Sequence, residues 1–467
     1  MLRVVELDRP RPQIHVDAAC LRARKAQAGF ASTSTKARAQ LLRQLRTALI
    51  RRAQELIDVV VRESGKVRFE AITLEIVPAA LALTYNAHIV ERALRSRVVR
   101  PFLPLPRRAT RTYAPLGVVG LITPFNYTLA IPLSSIASAL AAGNAVVWKP
   151  APSGAEAADA IVRVFEDAGM PHDLIVVVPG GADVGMALVD GPIDQLTFVG
   201  STSAGRAVAA RCGERLLPCV LELGGNAPAV VVDGADLERA SRAIVYGGLA
   251  NAGQSCVAVE RVLAVPSVFD ELLRRTQAVA EQVRVGESVA RLDAQQAKKV
   301  AAWKKDALAQ GAVFHGDFVV DVTQARMPVL AGEVFGPVIP FHRVANVDEA
   351  VQRANLSPQQ LCAYVFAGDR RLARSIASQL KAPHVVINDA MVSYAMMELP
   401  FGGAGASGLG RVHGIDGLRA LSREQIVVDG QLPIAKEPWW LPYDNKVGAV
   451  ILAGLDRALR LRDRLPF

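Results

Sequence analysis

Long apolar runs, aromatic residues and paired cysteines are all scarce in this chain of 467 residues. No stretch of about eighteen consecutive apolar residues occurs, so no segment is expected to span a membrane as a helix. The five cysteines, Cys20, Cys212, Cys219, Cys256 and Cys362, are odd in number, widely spaced and free of any CxxC pair. That spacing supports neither a disulfide framework nor a zinc site; no metal site is expected, and a reducing, cytoplasmic setting fits best. The first ten residues carry charges and no apolar core, unlike a signal peptide. Aromatics are only 5% of the chain, and the net charge of +10 is scattered, as in Arg43, Arg46, Arg51 and Arg52. A nucleic-acid binder would concentrate that charge and interleave aromatics with it. The charge is expected instead to attract an anionic cofactor or surface. No solenoid repeat or low-complexity block is present.

What is present is a large globular core. Half of the residues are hydrophobic, and the length calls for two or three packed domains. From Lys36 to Glu63 leucines recur at helical spacing, which predicts one amphipathic helix ending at Gly65; a second helix follows over Phe69 to Leu94. Residues Arg97 to Tyr113 are rich in Pro and Arg and read as an extended arm or edge strand. After Pro115, strand and helix patterns alternate: strands at Gly117–Ile122, Ala145–Trp148, Leu174–Val178 and Gln195–Val199, helices at Ile131–Ala141 and Gly154–Ala168. This alternation predicts an α/β fold, a doubly wound parallel sheet of the dinucleotide-binding kind. A second α/β region runs from Leu221 to Leu421, with strands at Ala229–Val232, Val259–Val265 and His384–Ile387, and a short strand follows at Arg423–Val428.

Several short segments carry chemistry, each with a plainer reading beside it. Cys256, in Gly253-Gln254-Ser255-Cys256, follows a glycine turn that can aim thiol and backbone N–H into one pocket; a lone cysteine there is more often inert and buried. Glu222, beside Gly224 and Gly225, is suited to take a proton from water when partly desolvated; alone it reads as half-exposed or salt-bridged. Pro124-Phe125-Asn126-Tyr127 follows a strand, where the Asn126 amide can donate to an oxyanion or cap the next helix. Lys149 also ends a strand and suits ribose hydroxyls or a phosphate. Gly200-Ser201-Thr202-Ser203 joins a strand to a helix whose N-terminus can hold a pyrophosphate, although the segment is neither a GxGxxG fingerprint nor a P-loop. The segments Glu333-Val334-Phe335-Gly336-Pro337 and 400–408 taken alone read as turns.

Together and in this order, the segments PFN, KP, FVGSTSAG, LELGGNAP, GQSC, EVFGP, IND and LPFGGAGASGLGR resemble the aldehyde dehydrogenase superfamily over about residues 20–430. The 34 residues from Glu222 to Cys256 are similar to that family's separation. The resemblance implies an aldehyde dehydrogenase-like fold with an NAD(P)-binding domain (1–96 and 114–220), a catalytic domain (221–421) and an oligomerisation arm (97–113 and 422–430) that makes a homodimer or homotetramer. It implies that Cys256 attacks the aldehyde as a thiolate, that Asn126 and the Cys256 N–H hold the oxyanion, and that Glu222 activates water to release the acid. Lys149 and Glu333 are implied at the two riboses of NAD or NADP, Phe335 at the nicotinamide, Gly200 and Ser201 under the pyrophosphate, and Pro124 and Phe125 along the cofactor.

Three departures from the family pattern stand out. Pro152 occupies the position where many NAD-preferring members carry Glu, which leaves NADP open, with the balance set toward NAD. Residues 285–335 look short, as if a hairpin were trimmed and the Pro-Thr before EVFGP lost. The tail, 438–467, combines Trp439, Trp440 and Tyr443 with a helix pattern marked by Val447, Ile451, Leu455 and Leu459 and by Arg457, Arg460, Arg462 and Arg464. Packing on its own subunit or on a dimer mate takes precedence; peripheral contact with an anionic membrane is the alternative, and would make long-chain aldehydes attractive substrates. Tyr127, Leu249, Ala250 and Val257 suggest an apolar pocket for an aliphatic or aromatic aldehyde. The competing functions are an acylating, coenzyme A-dependent dehydrogenase and a catalytically silent scaffold.

Overall fold

The computed structural model describes residues 12–99, 107–324, 332–430 and 435–463. The N-terminal residues 1–11, arm residues 100–106, the 325–331 stretch where Pro-Thr was sought, the side chain of Arg462 and all of Arg464 lie outside the described residues. Two main sheets organise the rest. In the first, the strand order is Gly408–Leu409, Cys219–Glu222, Gln195–Val199, Val118–Ile122, Ala145–Lys149, Ile175–Val177, all parallel except the Gly408–Leu409 edge. Its strands are almost wholly buried, as the unbroken Val, Leu and Ile runs require when helices cover both faces. The second has the order Val313–His315, Val319–Asp321, Ile339–Arg343, Val259–Ala264, Ala227–Val231, Cys362–Phe366, His384–Ile387, parallel except for its first pair.

The first sheet is laid down outward from Val118–Ile122 in one direction and then, from Gln195–Val199, in the other. The carboxyl ends of those two neighbours form a switch point, where doubly wound sheets bind ligands. Both PFN and the Gly200-Ser201 turn leave from this edge. Three antiparallel strands, Arg97–Val99, Arg107–Pro115 and Ser422–Gly430, form the arm.

Several boundaries differ from expectation. The single helix read over 36–63 is two, Thr35–Arg51 and Ala53–Ser64, because the chain leaves helical geometry at Arg52 (φ −92°, ψ 9°). The division at 221 falls inside strand Cys219–Glu222, and residues 408–421 return to the first sheet, where Leu418 and Leu421 join its core. The segment read as shortened keeps a hairpin, Val313–His315 with Val319–Asp321, bordered by a cleft of about 890 Å³. The helical stretch Arg68–Leu94 is long and apolar enough to cross a membrane, yet half of it is buried against helices Thr35–Arg51 and Ala130–Ala142.

That stretch also supplies the fold's most buried charge. Ala71–Ile76 is a π-helical turn, with the Val77 N–H reaching the Ile72 carbonyl. It sets Glu75 against the start of helix Ala130–Ala142, where its carboxylate accepts from the N–H groups of Thr128 (3.1 Å), Leu129 (3.0 Å) and Ala130 (2.8 Å). Lys66 pairs with Glu75 at 3.0 Å, both side chains fully buried, and donates to the Asn126 carbonyl at 2.6 Å. Removing one partner strands the other charge: Lys66→Met should cost about 3–5 kcal/mol in urea unfolding. The double variant Lys66→Met/Glu75→Gln should cost clearly less than the two single changes summed; strict additivity would show the pair is not coupled.

Candidate active site

Cys256 is delivered by a strained turn. Helix Leu237–Leu249 ends, and Asn251, Ala252 and Gly253 follow in the left-handed region, at φ +53°, +53° and +72°. Two consecutive non-glycine residues rarely hold that conformation, so the surroundings must impose it. The Asn251 N–H donates to Glu70 at 2.7 Å, and its amide donates to the carbonyls of Asn126 and Gln254, each at 3.0 Å. Gly253 cannot be larger, because a Cβ there would lie 2.3 Å from the Gly336 carbonyl oxygen. Asn126 is thereby held from both ends. Its backbone carbonyl is clamped by Lys66 and Asn251, while its side-chain amide gives one hydrogen to Gln254 O at 3.0 Å and keeps another.

Glu222 ends its strand beside this turn. Gly225 packs directly on it: a Cβ there would fall 2.0 Å from the Cys256 carbonyl oxygen. The glycine-rich segment 402–410 folds against the Glu222 strand, with Leu223 N–H donating to Ser407 O at 2.9 Å and the Ser407 hydroxyl to Gly224 O at 2.7 Å. Both Glu222 carboxylate oxygens are buried without a hydrogen-bond partner. Burial therefore raises its pKa well above the ordinary carboxylate value, with Arg411 opposing only in part. Cys256 is pushed the same way, first by burial, then by the carboxylates of Glu333 and Glu222.

Two cavities meet at Cys256. One, of about 300 Å³, is lined by Pro124, Phe125, Asn126, Gly200, Ser201, Glu222, Glu333 and Phe335, so eight of the residues singled out in the sequence besides Cys256 share one space. Ser201 caps the helix Thr202–Glu214 through the Ala204 N–H at 3.3 Å, and Phe125 and Phe335 meet edge to face at 6.2 Å. Lys149 is not among the lining residues; it ends strand Ala145–Lys149, and burial lowers its pKa. Glu333 accepts from Gly225 N–H at 3.3 Å, and the loop behind it is fastened by a buried carboxylate, Glu260, which accepts from Val334 (2.9 Å) and Phe335 (3.1 Å) N–H groups. Glu260 and Glu333 are both raised, by burial before all else.

The second cavity, of about 190 Å³, reaches Cys256 from the other side past Thr73, Leu74, Tyr127, Ile131, Tyr246 and Tyr394. Of the expected pocket residues Tyr127 and Val257 line it, but Leu249 and Ala250 do not: Leu249 packs in the second core and Ala250 is buried at the start of the turn. Sequence reading missed Tyr394 and the 73–74 pair. Tyr394 follows the IND segment by a few residues, and Leu74 stands beside a glutamate inside an apolar stretch, which was the available signal.

Comparison with known proteins gives the family. The profile described as Aldehyde dehydrogenase family matches residues 11–427. A Mycolicibacterium smegmatis protein that carries the name succinate-semialdehyde dehydrogenase (NADP+) is 35% identical over 443 residues, covering 89% of this chain and 85% of that one. The 4,4'-diapolycopene aldehyde oxidase of Methylomonas sp. is 34% identical over 423 residues, covering 87% and 80%. Among solved structures, the NADP-dependent glyceraldehyde-3-phosphate dehydrogenase of Bacillus halodurans, complexed with NADP, superposes with a TM-score of 0.84 at 31% identity, covering 90% of this chain and 92% of its own. None of these three favours the expected tilt toward NAD. The chain belongs to the aldehyde dehydrogenase family and is an NAD(P)-dependent oxidoreductase acting on aldehydes.

Proposed function

We propose that this enzyme oxidises an apolar aldehyde, aliphatic or aromatic, to its carboxylic acid through a thioester on Cys256. The observation that carries the reading is the position of Cys256 as the shared wall of two unlike cavities. On the substrate side no Arg, Lys or His lines the space among the described residues. A substrate with a carboxylate, as in succinate semialdehyde, would enter without a counter-charge at high desolvation cost. The relative that acts on diapolycopene aldehyde is therefore the better guide to substrate than the relative named for succinate semialdehyde.

The cavity of about 300 Å³ fits a dinucleotide: it lies at the sheet's switch point, a capped helix N-terminus faces it through Gly200 and Ser201, and Glu333 offers acceptors for ribose hydroxyls. Bound there, NAD(P)+ supplies the acceptor for the hydride leaving the carbonyl carbon. The chain does the rest. Cys256 adds to the carbonyl as thiolate, and the oxyanion accepts from the free amide hydrogen of Asn126 and the Cys256 N–H. After oxidation the carbon is held as a thioester. Glu222 takes a proton from water, the water oxygen adds to the thioester carbon, and the acid leaves as the thiolate returns. A carboxylate with both oxygens unpartnered supports water, not coenzyme A, as the acceptor. We also propose a homodimer, since strand Ser422–Gly430 presents an exposed edge with Ile426, Val427 and Val428.

Three measurements test this. Cys256→Ala should abolish absorbance gain at 340 nm with a medium-chain aldehyde, and Glu222→Gln should lower steady turnover by about 10²–10⁴ while sparing a first-turnover burst. A loss of the burst as well would place Glu222 before the thioester. Because the Cys256 thiol is raised and Glu222 acts only after the thioester forms, the thiolate that controls kcat/KM appears only as pH climbs. Hence kcat/KM should rise by about tenfold per pH unit above neutrality while one group controls it. A flat profile from pH 7 to 9 would contradict that assignment (about two units).

For the cofactor, we propose that NADP is used at least as well as NAD: Pro152 puts no carboxylate near a 2′-phosphate, and Ser153 beside it is exposed. Pro152→Glu should shift the NADP/NAD ratio of kcat/KM toward NAD by about tenfold, roughly 1.4 kcal/mol. An unchanged ratio would remove Pro152 from the explanation.

A further inference from the structure

The chain continues beyond the arm into a tail that its own body does not cover. Residues Trp439, Trp440, Leu441 and Tyr443 are exposed, two of them by more than 70%, and helix Asn445–Asp463 follows. The tail is fastened at its base, where Arg107 meets Glu437 at 2.5 Å and its guanidinium lies 5.5 Å from the Trp439 ring. Beyond that base, Val450, Ile451, Leu452, Leu455, Leu459 and Leu461 all stand exposed. At helical spacing they share one broad face, while Lys446, Asp456, Arg457 and Arg460 fall on the opposite one. A helix of this length with an uncovered apolar face gains its stability from whatever that face is buried against.

We propose that this tail docks the protein on an anionic phospholipid bilayer. Three features favour a lipid surface over a second copy of the chain. The arm to which the tail is fastened is strongly basic: residues 95–115 and 422–430 hold seven arginines and two carboxylates. Anionic headgroups would neutralise that charge. Tryptophan and tyrosine next to an apolar helix face are placed for the headgroup boundary, where the ring is buried and its polar edge stays wet. Lying flat, the helix would present about 28 Å of apolar face to the acyl chains. The docking does not depend on the chemistry at Cys256.

The test is flotation of the full-length protein with phosphatidylcholine vesicles and with vesicles that also contain phosphatidylglycerol. The protein should float with the anionic vesicles, stay behind with the neutral ones, and be released by salt. The variants Trp439→Ser/Trp440→Ser and Ile451→Ser/Leu455→Ser should bind the anionic vesicles about tenfold or more weakly. Their thermal unfolding and turnover of a short, water-soluble aldehyde should be unchanged, so a failure of docking is read apart from a failure of catalysis or folding. Absence of full-length protein from the floated fraction overturns the proposal, as does equal flotation of the variants. So does light scattering in which the variants dissociate a dimer while flotation stays the same, which assigns the face to a second copy.

Discussion

Taking an ammonium and a carboxylate wholly out of water costs several kcal/mol per ion, and a pair recovers that cost only when every remaining donor and acceptor is engaged. Lys66 and Glu75 meet the condition by serving the backbone around them. Glu75 receives three N–H groups where the helix after PFN begins, and Lys66 holds the Asn126 carbonyl. Asn251, from the turn that precedes Cys256, holds the same carbonyl. One buried pair thus links the N-terminal helices, the first sheet's ligand edge and the loop that carries Cys256. The left-handed geometry at Asn251 and Ala252 is affordable because this network, with Glu70, over-determines it.

From that anchor the reactive centre follows as a packing result. Gly225 lets the Glu222 strand approach the Cys256 backbone, Gly253 lets the turn pass Gly336, and the glycine-rich segment closes over Glu222. Each approach excludes water from a group that will carry charge, which is why Cys256 and Glu222 both favour their neutral forms before ligands arrive. The thiol ends as a partition between two cavities, one lined by no Arg, Lys or His among the described residues and one by Glu222, Glu333, Gln296 and Lys299.

Much of this was legible in the chain itself. The strands Gln195–Val199 and His384–Ile387 fall where their apolar runs place them, and the motif residues Asn126, Gly200, Glu222, Cys256, Glu333 and Phe335 converge on one cavity. What escaped reading lies in backbone angles and in contacts distant in sequence. The break at Arg52 is a local change of backbone angle (φ −92°, ψ 9°) that a leucine period cannot report. Leu249 and Ala250 were expected in the pocket, but Leu249 packs in the second core and Ala250 is buried at the start of the left-handed turn. Lys66, Glu75 and Glu260 are ordinary charged letters until burial makes them structural. The balance set toward NAD rested on no residue that the fold brings forward.

The π-helical turn at Ala71–Ile76 has a consequence for how this enzyme can change over evolutionary time. Within three successive residues the chain turns Thr73 and Leu74 to the cavity beside Cys256 and Glu75 to the buried pair. Substitution at the first two reshapes the cavity wall without touching that pair. Insertion or deletion of a single residue cannot leave the pair untouched, because it would rotate Glu75 out of register by about 100°. Descendants of this sequence should therefore vary in letter at 73 and 74 and be invariant in length across 66–75, a spacing frozen by electrostatics beside a cavity wall that stays plastic.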